Sequence, residues 1–440
     1  MKHYKMMILF IFCSTFSVSI AKKYVGEALF IHNLSLYVPV PNSILLSLNT
    51  LAAPFTVPKL VVDPRAKKMP LFKKYPAFKN KIPYISLCTM PSPVQKLIAL
   101  GHYLKWADVT IKRDDQLGLL LQDGKKLFGG TKLRKLGFLL GDAVHNGAKS
   151  VLTFGSAGSN HTVATAACCQ QVGLKNFSLL KPQPNSQTVR RNLLLMNYYG
   201  SNIQYCPNIE VRGMGATYTF FRQKEDYGDF PYVIPPGGSC PMGIIGIIDA
   251  VLELKEQIKQ GQLSEPDRIY LAAGTLGTVA GLLLGTKIAN LSSKVIGICV
   301  MPEMKPEGAK KMILQLCKET VELLHSLDAT FPLIKINEED IHMLYDFRGT
   351  QYGLFTPEAA QAIKIVKEKE GIVLDGTYTG KAFAGMLEDV EKHNYQHKNI
   401  LFWHTFYGDA CTQEIADTSY KKLPKALHYY FETSVQALDV

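Results

Sequence analysis

The sequence lacks the patterns that mark metal sites and disulfide frameworks. None of its nine cysteines forms a Cys-x-x-Cys pair, and no group of histidines and cysteines has the spacing of a zinc site. Cys168 and Cys169 are neighbours within a predicted helix, where cysteines are usually buried thiols. The sequence therefore predicts no metal site and no disulfide framework.

Basic stretches interleaved with aromatic residues are also missing, and so are internal repeats and low-complexity tracts. The net charge is +12, with a sequence pI of about 9.1. Such an excess of positive charge can favour binding to nucleic acid or to an anionic membrane, but the lysines here are scattered along the chain. A solvated surface that attracts small anionic ligands is the better interpretation, and no nucleic-acid partner is expected.

The N-terminus has an apolar stretch, residues 6–20, that is too short for a comfortable membrane span. It follows a basic start and ends near Ser-Ile-Ala at 19–21. This pattern predicts a signal peptide over residues 1–21, and hence a periplasmic or secreted protein without a stable membrane span. The alternative is an uncleaved leader on a cytoplasmic protein. Residues 22–83 are interpreted as an extended arm with little helix.

Alternating strand and helix patterns fill most of the remaining chain. Because helices lie between the strands, the patterns indicate parallel sheets covered on both faces. At 440 residues, the chain can form two domains or one large α/β unit. Strands are predicted near 150–154, 177–180, 202–205, 232–234, 269–273, 295–300 and 400–404. Helices are predicted near 132–147, 159–172, 187–198, 241–260, 278–289, 306–326, 356–370 and 380–393.

Lys132 is a candidate amine nucleophile. It follows Phe-Gly-Gly-Thr at 128–131 and begins a strongly apolar helical stretch. A glycine pair lets the backbone approach a bound group closely, and a lysine among other cations, here Arg134 and Lys135, loses basicity. A lysine that forms a Schiff base needs these properties. The alternative is the basic first turn of an ordinary solvated helix.

A polar triplet follows the predicted strand at 150–154. After a turn of small residues, Ser159, Asn160 and His161 begin a helix rich in alanine. In an α/β sheet such a turn lies at the carboxyl end of a strand, where ligands bind. Ser159 can also be a simple N-cap, a role that does not require the two residues after it.

A glycine-rich turn follows the predicted strand at 269–273. Its free N–H groups and the dipole of the next helix favour a phosphate. The turn is not a P-loop, because no Gly-Lys-Ser/Thr follows, and its glycine spacing is not that of the dinucleotide fingerprint. It suits a small monophosphate. Together with a Schiff-base lysine and the polar triplet, it points to pyridoxal phosphate.

The chain resembles the pyridoxal-phosphate enzymes that include D-cysteine desulfhydrase and 1-aminocyclopropane-1-carboxylate (ACC) deaminase. The resemblance covers roughly residues 84–426 and includes the three segments described above. Further matching motifs are Met-Pro-Ser-Pro-Val-Gln at 90–95, Lys-Arg-Asp-Asp at 112–115, Tyr-Gly at 352–353, Leu-Asp-Gly-Thr-Tyr-Thr-Gly-Lys-Ala at 374–382 and Phe-Trp-His-Thr at 402–405.

The resemblance implies an α/β fold of the tryptophan-synthase β-like type (fold type II). Two parallel-sheet αβα domains would hold the cofactor between them. The catalytic region would span residues 84–440, with the smaller domain, about 160–240, inserted in the larger one. The partners expected are a small amino-acid substrate and a second copy of the chain in a homodimer.

The resemblance also assigns roles to particular residues. Lys132 would carry the cofactor, and Ser159 would contact the substrate carboxylate and take part in proton transfer. Asn160 would hold the phenolic oxygen of the cofactor. Tyr352 and Tyr378 would line the substrate side as further catalytic residues. The phosphate would be held by Lys135, Gly274, Thr275, Leu276, Gly277 and Thr278, and the remaining cofactor contacts would be Thr379 and Thr405.

Two positions favour D-cysteine desulfhydrase over ACC deaminase. ACC deaminases carry a glutamate where this chain has Thr379, and a carboxylate near the pyridine nitrogen strengthens the electron sink that ring opening needs. His161, on the substrate side, replaces the glutamine usual in the deaminases. The expected enzyme is a lyase that converts D-cysteine to pyruvate, hydrogen sulfide and ammonia by β-elimination. The alternatives are an ACC deaminase and a non-catalytic relative that binds the cofactor.

Several residues depart from the family pattern. Thr131 stands where asparagine is usual, and Gly376 replaces a proline. Leu276 replaces a loop glycine and is expected to crowd the phosphate. Phe406 and Tyr407 stand where glycines normally border the ring nitrogen, so they should either narrow the pocket or bulge outward.

Overall fold

Two sheets and the helices around them organise the protein. The computed structural model describes residues 68–119, 121 and 126–439. The strands are β1 (Val94–Lys96), β2 (Asp108–Arg113), β3 (Ser150–Ser156), β4 (Lys175–Lys181), β5 (Asn202–Tyr205), β6 (Tyr232–Ile234), β7 (Arg268–Ala273), β8 (Lys294–Cys299), β9 (His342–Leu344) and β10 (Asn399–His404). The α-helices are α1 (Pro70–Lys74), α2 (Ile98–Leu104), α3 (Lys132–His145), α4 (Asn160–Gln171), α5 (Gln187–Tyr198), α6 (Ile209–Tyr227), α7 (Pro241–Lys259), α8 (Gly277–Ala289), α9 (Pro306–Leu327), α10 (Pro357–Glu370), α11 (Thr379–Lys392), α12 (Thr412–Ile415) and α13 (Tyr429–Glu432).

The larger sheet has six strands in the order β1-β2-β10-β7-β8-β9, and all of its pairs are parallel except β1 with β2. The smaller sheet has four parallel strands in the order β5-β4-β3-β6. Because helices connect parallel strands and cover both faces, central strands are buried on both sides; β3 is buried along its whole length. The predicted fold class is confirmed.

All seven predicted strands and all eight predicted helices are present, with bounds that shift by at most two residues. The sequence patterns do not predict β1, β2 or β9. Two of these strands have only three residues, and β2 carries charged residues inside the sheet. Lys112 of β2 is fully buried because Glu253 pairs with it at 2.6 Å. Helix α6 is also missed, since glycines and β-branched residues break its helical pattern.

Residues 68–83, the described part of the predicted arm, pack on the larger sheet's core. Helix α1 buries Leu71 and Phe72 there, and the backbone N–H of Leu71 donates a 2.8 Å hydrogen bond to Asp249 of α7. The rest of the predicted arm and the predicted signal peptide, residues 1–21, lie outside the described residues. The predicted domain bounds stay a prediction.

Within the described part of the chain, no helix combines the length and the apolarity that crossing a bilayer requires. The eight cysteines in this part are free thiols and are buried. No group of three or more His, Cys, Asp or Glu side chains among these residues could hold a metal ion.

Candidate active site

A cavity lies at the carboxyl ends of strands from both sheets, including β3, β7 and β10. Ligands bind at this edge in parallel α/β sheets. Three predicted site residues, Lys135, Gly277 and Thr379, do not line the cavity. The predicted residues that line it are Lys132, Ser159, Asn160, His161, Gly274, Thr275, Leu276, Thr278, Tyr352, Tyr378 and Thr405.

Lys132 begins α3, and its side chain lines the cavity. Burial lowers the pKa of Lys132, while the nearby carboxylate of Asp375 acts in the opposite direction. The prediction that Arg134 lowers this pKa is wrong, because the Arg134 guanidinium is paired with Asp114 and Glu253, each at 2.8 Å. Lys132 is therefore made a better nucleophile by desolvation.

A buried hydrogen-bond network fixes the start of α3. The carboxylate of Asp114 accepts from Thr131 Oγ1 at 2.8 Å, from Arg134 Nη2 at 2.8 Å and from Trp403 Nε1 at 2.9 Å. Burial opposes the ionisation of Asp114, but Arg134 outweighs it and lowers the Asp114 pKa to about 2. Thr131 directly precedes Lys132 and replaces the asparagine that is usual in the family. Its hydrogen bond to Asp114 thus connects the start of α3 to the larger sheet.

Ser159 has both of the roles considered for it. Its side chain accepts a hydrogen bond from the Thr162 N–H at 3.3 Å and caps α4, and it also lines the cavity. The tight turn before it needs Gly155, because a Cβ at that position would lie 2.8 Å from Ser159 Oγ. An N-cap role therefore does not remove Ser159 from the site.

His161 presents a hydrogen-bond acceptor within the site. Its Nε2 lies 3.0 Å from Thr153 Oγ1, and the single proton of that hydroxyl goes to the Ile234 carbonyl at 3.0 Å. Nε2 must therefore carry the imidazole proton. Burial and the charges of nearby lysines lower the His161 pKa well below its usual value, so the ring is neutral. Its Nδ1 is then an unprotonated acceptor, buried and without a partner among the described residues.

Two glycine turns meet where the phosphate is predicted. Thr275 Oγ1 lies 2.8 Å from Ser239 Oγ, and a Cβ on Gly237 would lie 2.2 Å from the same Thr275 oxygen. Lys135 Nζ donates to the Gly237 carbonyl at 3.2 Å, and a Cβ on Gly277 would lie 2.9 Å from this Nζ. The close approach of the two backbones, the ammonium group of Lys135 and the N-terminus of α8 are suited to bind a monophosphate. Lys135 and Gly277 do not line the cavity themselves, but they contact the residues that form these turns.

The departures from the family pattern have different consequences. Leu276 keeps the left-handed conformation that suits glycine, with φ 63°, and its side chain packs in the larger sheet's core while it lines the cavity. Phe406 lines the cavity, whereas Tyr407 packs against Phe128 with ring centroids 4.9 Å apart. One ring thus narrows the pocket and the other points away from it.

Asp375 is a site residue that the sequence analysis misses. It lines the cavity, and its carboxylate accepts from the N–H groups of Tyr378 at 3.0 Å and Thr379 at 2.9 Å. The Asp375 carboxylate also accepts a hydrogen bond from the Thr379 hydroxyl at 2.7 Å. Thr379 is buried and does not line the cavity, so its hydroxyl contacts the site only by way of Asp375. Tyr378 contacts Tyr352 through their hydroxyl groups. The signal for Asp375 was its place in the matching motif at 374–382.

Pro236, Gly237 and Met301 also line the cavity and are not predicted. The turn Pro-Pro-Gly-Gly-Ser at 235–239 directly follows β6, as the other two site turns follow β3 and β7. A glycine-rich turn after a predicted strand was therefore the available signal for Pro236 and Gly237. For Met301, which follows β8, the sequence offers no comparable signal.

Comparison with known proteins gives one consistent result. Residues 85–405 match the family described as "Pyridoxal-phosphate dependent enzyme". A Pyrococcus abyssi protein named "Putative 1-aminocyclopropane-1-carboxylate deaminase" is 36% identical over 333 residues, which are 76% of this chain and 94% of that protein. The D-cysteine desulfhydrase of Salmonella newport is 31% identical over 337 residues, 74% of this chain and 94% of the relative.

Solved structures agree with this result. The crystal structure of an ACC deaminase homologue superposes with a TM-score of 0.62 at 32% identity and covers 80% of this chain and 97% of its own. A fungal L-serine ammonia-lyase from Rhizomucor miehei shares the fold, with a TM-score of 0.51 at 16% identity over 76% of this chain and all of its own. The chain belongs to the pyridoxal-phosphate-dependent enzyme family, in the group of the ACC deaminases and D-cysteine desulfhydrases.

Proposed function

We propose that the protein is a D-cysteine desulfhydrase, acting on D-cysteine or another small β-substituted D-amino acid. The observation that carries this proposal is the environment of Thr379. Its hydroxyl donates to Asp375 Oδ1 at 2.7 Å and accepts from the Asp375 N–H at 2.9 Å. No glutamate carboxylate stands at this position to strengthen the electron sink.

The family implies pyridoxal phosphate, and the bound cofactor supplies the electron sink for charge that develops at the substrate Cα. Lys132 is suited to accept the Cα proton at Nζ, because burial lowers its pKa and leaves more of the neutral amine. Loss of thiol from Cβ is easier than opening a cyclopropane, so a weaker sink suffices. One water is consumed, and D-cysteine yields pyruvate, hydrogen sulfide and ammonia.

Sulfide and pyruvate release from D-cysteine, L-cysteine and ACC separates the candidate substrates. We expect both products from D-cysteine, little from the L-enantiomer, and barely any 2-oxobutanoate from ACC. Efficient turnover of ACC by the unchanged protein would contradict the proposal. Lys132→Ala should abolish turnover, and borohydride should fix the cofactor on Lys132 rather than on Lys135.

ACC deaminase is the second candidate, because the Pyrococcus abyssi relative with that name is 36% identical, against 31% for the Salmonella newport desulfhydrase. Thr379→Glu tests the sink argument directly. If ACC is opened only after this substitution, the hydroxyl at 379 decides the substrate. Export of the chain and a homodimeric assembly remain further proposals.

A further inference from the structure

Asn160 is held in one orientation by a side chain of α5. Asn192 is fully buried, and its Nδ2 donates to Asn160 Oδ1 at 2.9 Å and to the Gly158 carbonyl at 2.8 Å. Both protons of the Asn192 amide are therefore used. Since Asn160 Oδ1 faces Asn192, the Asn160 Nδ2 is left as a donor on a side chain that lines the cavity.

Arg191 determines which way the Asn192 amide is turned. Its Nε and Nη2 each lie 3.1 Å from Asn192 Oδ1. A guanidinium has only donors, so the atom that faces it must be the carbonyl oxygen, and Nδ2 must face Asn160. Arg191 is itself fixed, because its Nη1 donates to the Asp409 carbonyl at 2.9 Å and its guanidinium lies 5.4 Å from the Phe406 ring centroid.

We propose that Arg191 and Asn192 are positioning residues that present Asn160 to the cavity as a hydrogen-bond donor for an anionic oxygen of the cofactor. A donor stabilises a charged oxygen, whereas the amide oxygen of a flipped Asn160 would repel it. The ring of Phe406 supports this arrangement by covering Arg191. The proposal rests on the cofactor of the family and not on D-cysteine as the substrate, so cofactor binding tests it without turnover.

Asn192→Asp separates the two functions of the Asn192 amide. The carboxylate still accepts from Arg191, but it can donate neither to Asn160 nor to the Gly158 carbonyl. The Asn160→Ala background described below separates the effect of the lost Gly158 bond from the effect on Asn160. Asn160 would then turn its Nδ2 to the new carboxylate and its Oδ1 to the cavity. Titration of the apoprotein with pyridoxal phosphate should show an affinity weaker by about 10- to 150-fold, the range for one hydrogen bond to a charged group.

Asn176→Asp is the matched control, because Asn176 is buried in the smaller sheet and its Oδ1 only accepts, from Ser178 and Ser201. We expect this control to change cofactor affinity by less than about 3-fold, the level of additivity error for distant sites. In an Asn160→Ala background, Asn192→Asp should likewise have less than about a 3-fold effect, since the partner through which it acts is gone.

Unchanged affinity in Asn192→Asp, or an equal loss with and without Asn160, would overturn the proposal. If that variant does not fold, Arg191→Met carries the test, with Arg190→Met as its control; Arg190 bonds the Tyr430 and Thr433 carbonyls instead. Arg191→Met should weaken cofactor binding only when Asn160 is present, and a loss that is independent of Asn160 refutes the role. Failure to release sulfide from D-cysteine would leave this result intact.

Discussion

Replacing Asp114 by asparagine should strongly destabilise the protein. The carboxylate accepts hydrogen bonds from four buried side chains: Ser92, Thr131, Arg134 and Trp403. The variant leaves the Arg134 charge with Glu253 as its remaining carboxylate partner and puts an amide N–H₂ where donors converge. Breaking a buried ion pair costs about 3–5 kcal/mol, and we expect a loss in that range for the free energy of unfolding.

The pKa of Asp114 gives a second magnitude for the same interaction with Arg134. Burial opposes its ionisation, but Arg134 holds the pKa at about 2, below its usual 3.8. The difference corresponds to about 2 kcal/mol of stability. Because the folded-state pKa is lowered, this contribution is present above pH 3.8 and is lost as the pH falls through 2. Asp114→Asn should therefore lose this part of the acid dependence as well as the stability.

Urea unfolding of the apoprotein at pH 7 measures the effect, and Asp226→Asn is the matched control. Asp226 pairs with Arg222 at 3.0 Å on the exposed face of α6, with side chains 38% and 50% exposed. An exposed helix pair of this kind is screened by solvent and contributes little to stability. If the Asp114 variant loses no more stability than the Asp226 variant, the buried network does not hold the start of α3 as we argue.

The remaining predictions concern α1, the pocket and the leader. Burial raises the pKa of Asp249 to about 7, although the hydrogen bond from the Leu71 N–H opposes this shift. The Asp249 carboxyl group therefore destabilises the fold as the pH rises from about 4 to 7. In thermal or urea unfolding at pH 8, Asp249→Asn should be more stable than the unchanged protein by up to about 4 kcal/mol, and an unchanged pH profile would count against this. Phe406→Gly should raise turnover of larger β-substituted amino acids, and an unchanged substrate range, measured by sulfide or ketoacid release, would show that the ring does not limit the pocket. In a Gram-negative host, N-terminal sequencing of the periplasmic product should find a start near Lys22, whereas a cytosolic product that keeps residues 6–20 would contradict export.

The sequence predicts the sheets well because their central strands are buried on both faces and therefore apolar along their whole length. It fails at β2, where Lys112 is buried only because Glu253 lies beside it. That pairing joins residues 141 positions apart. A pattern read along the chain scores a charged residue as exposed, since the compensating partner is visible only in three dimensions.

In the site, too, some features can be predicted from the sequence and others depend on contacts that form only in the folded protein. Turns that follow β3 and β7 are recognisable from their composition, and they do meet in one cavity. The sequence suggests that neighbouring cations lower the pKa of Lys132, but Arg134 points into a different network and burial lowers this pKa instead. Likewise, the orientation of Asn160 depends on Asn192, 32 residues away. Most residues predicted from the sequence motifs thus line the cavity, but the motifs do not reveal the contacts that set the charge and orientation of these residues.

The spacing of Lys132 and Lys135 explains how one helix turn can provide both a reactive amine and an anion-binding cation. Burial lowers the pKa of both lysines, and the charge of Lys132 lowers the pKa of Lys135 further. An anion bound at the turn beside Gly277 would favour the charged form of Lys135. A charged Lys135 would in turn disfavour the ammonium form of Lys132. Binding of a phosphate would therefore divide the two roles, with a charged Lys135 to hold the anion and a neutral Lys132 to react.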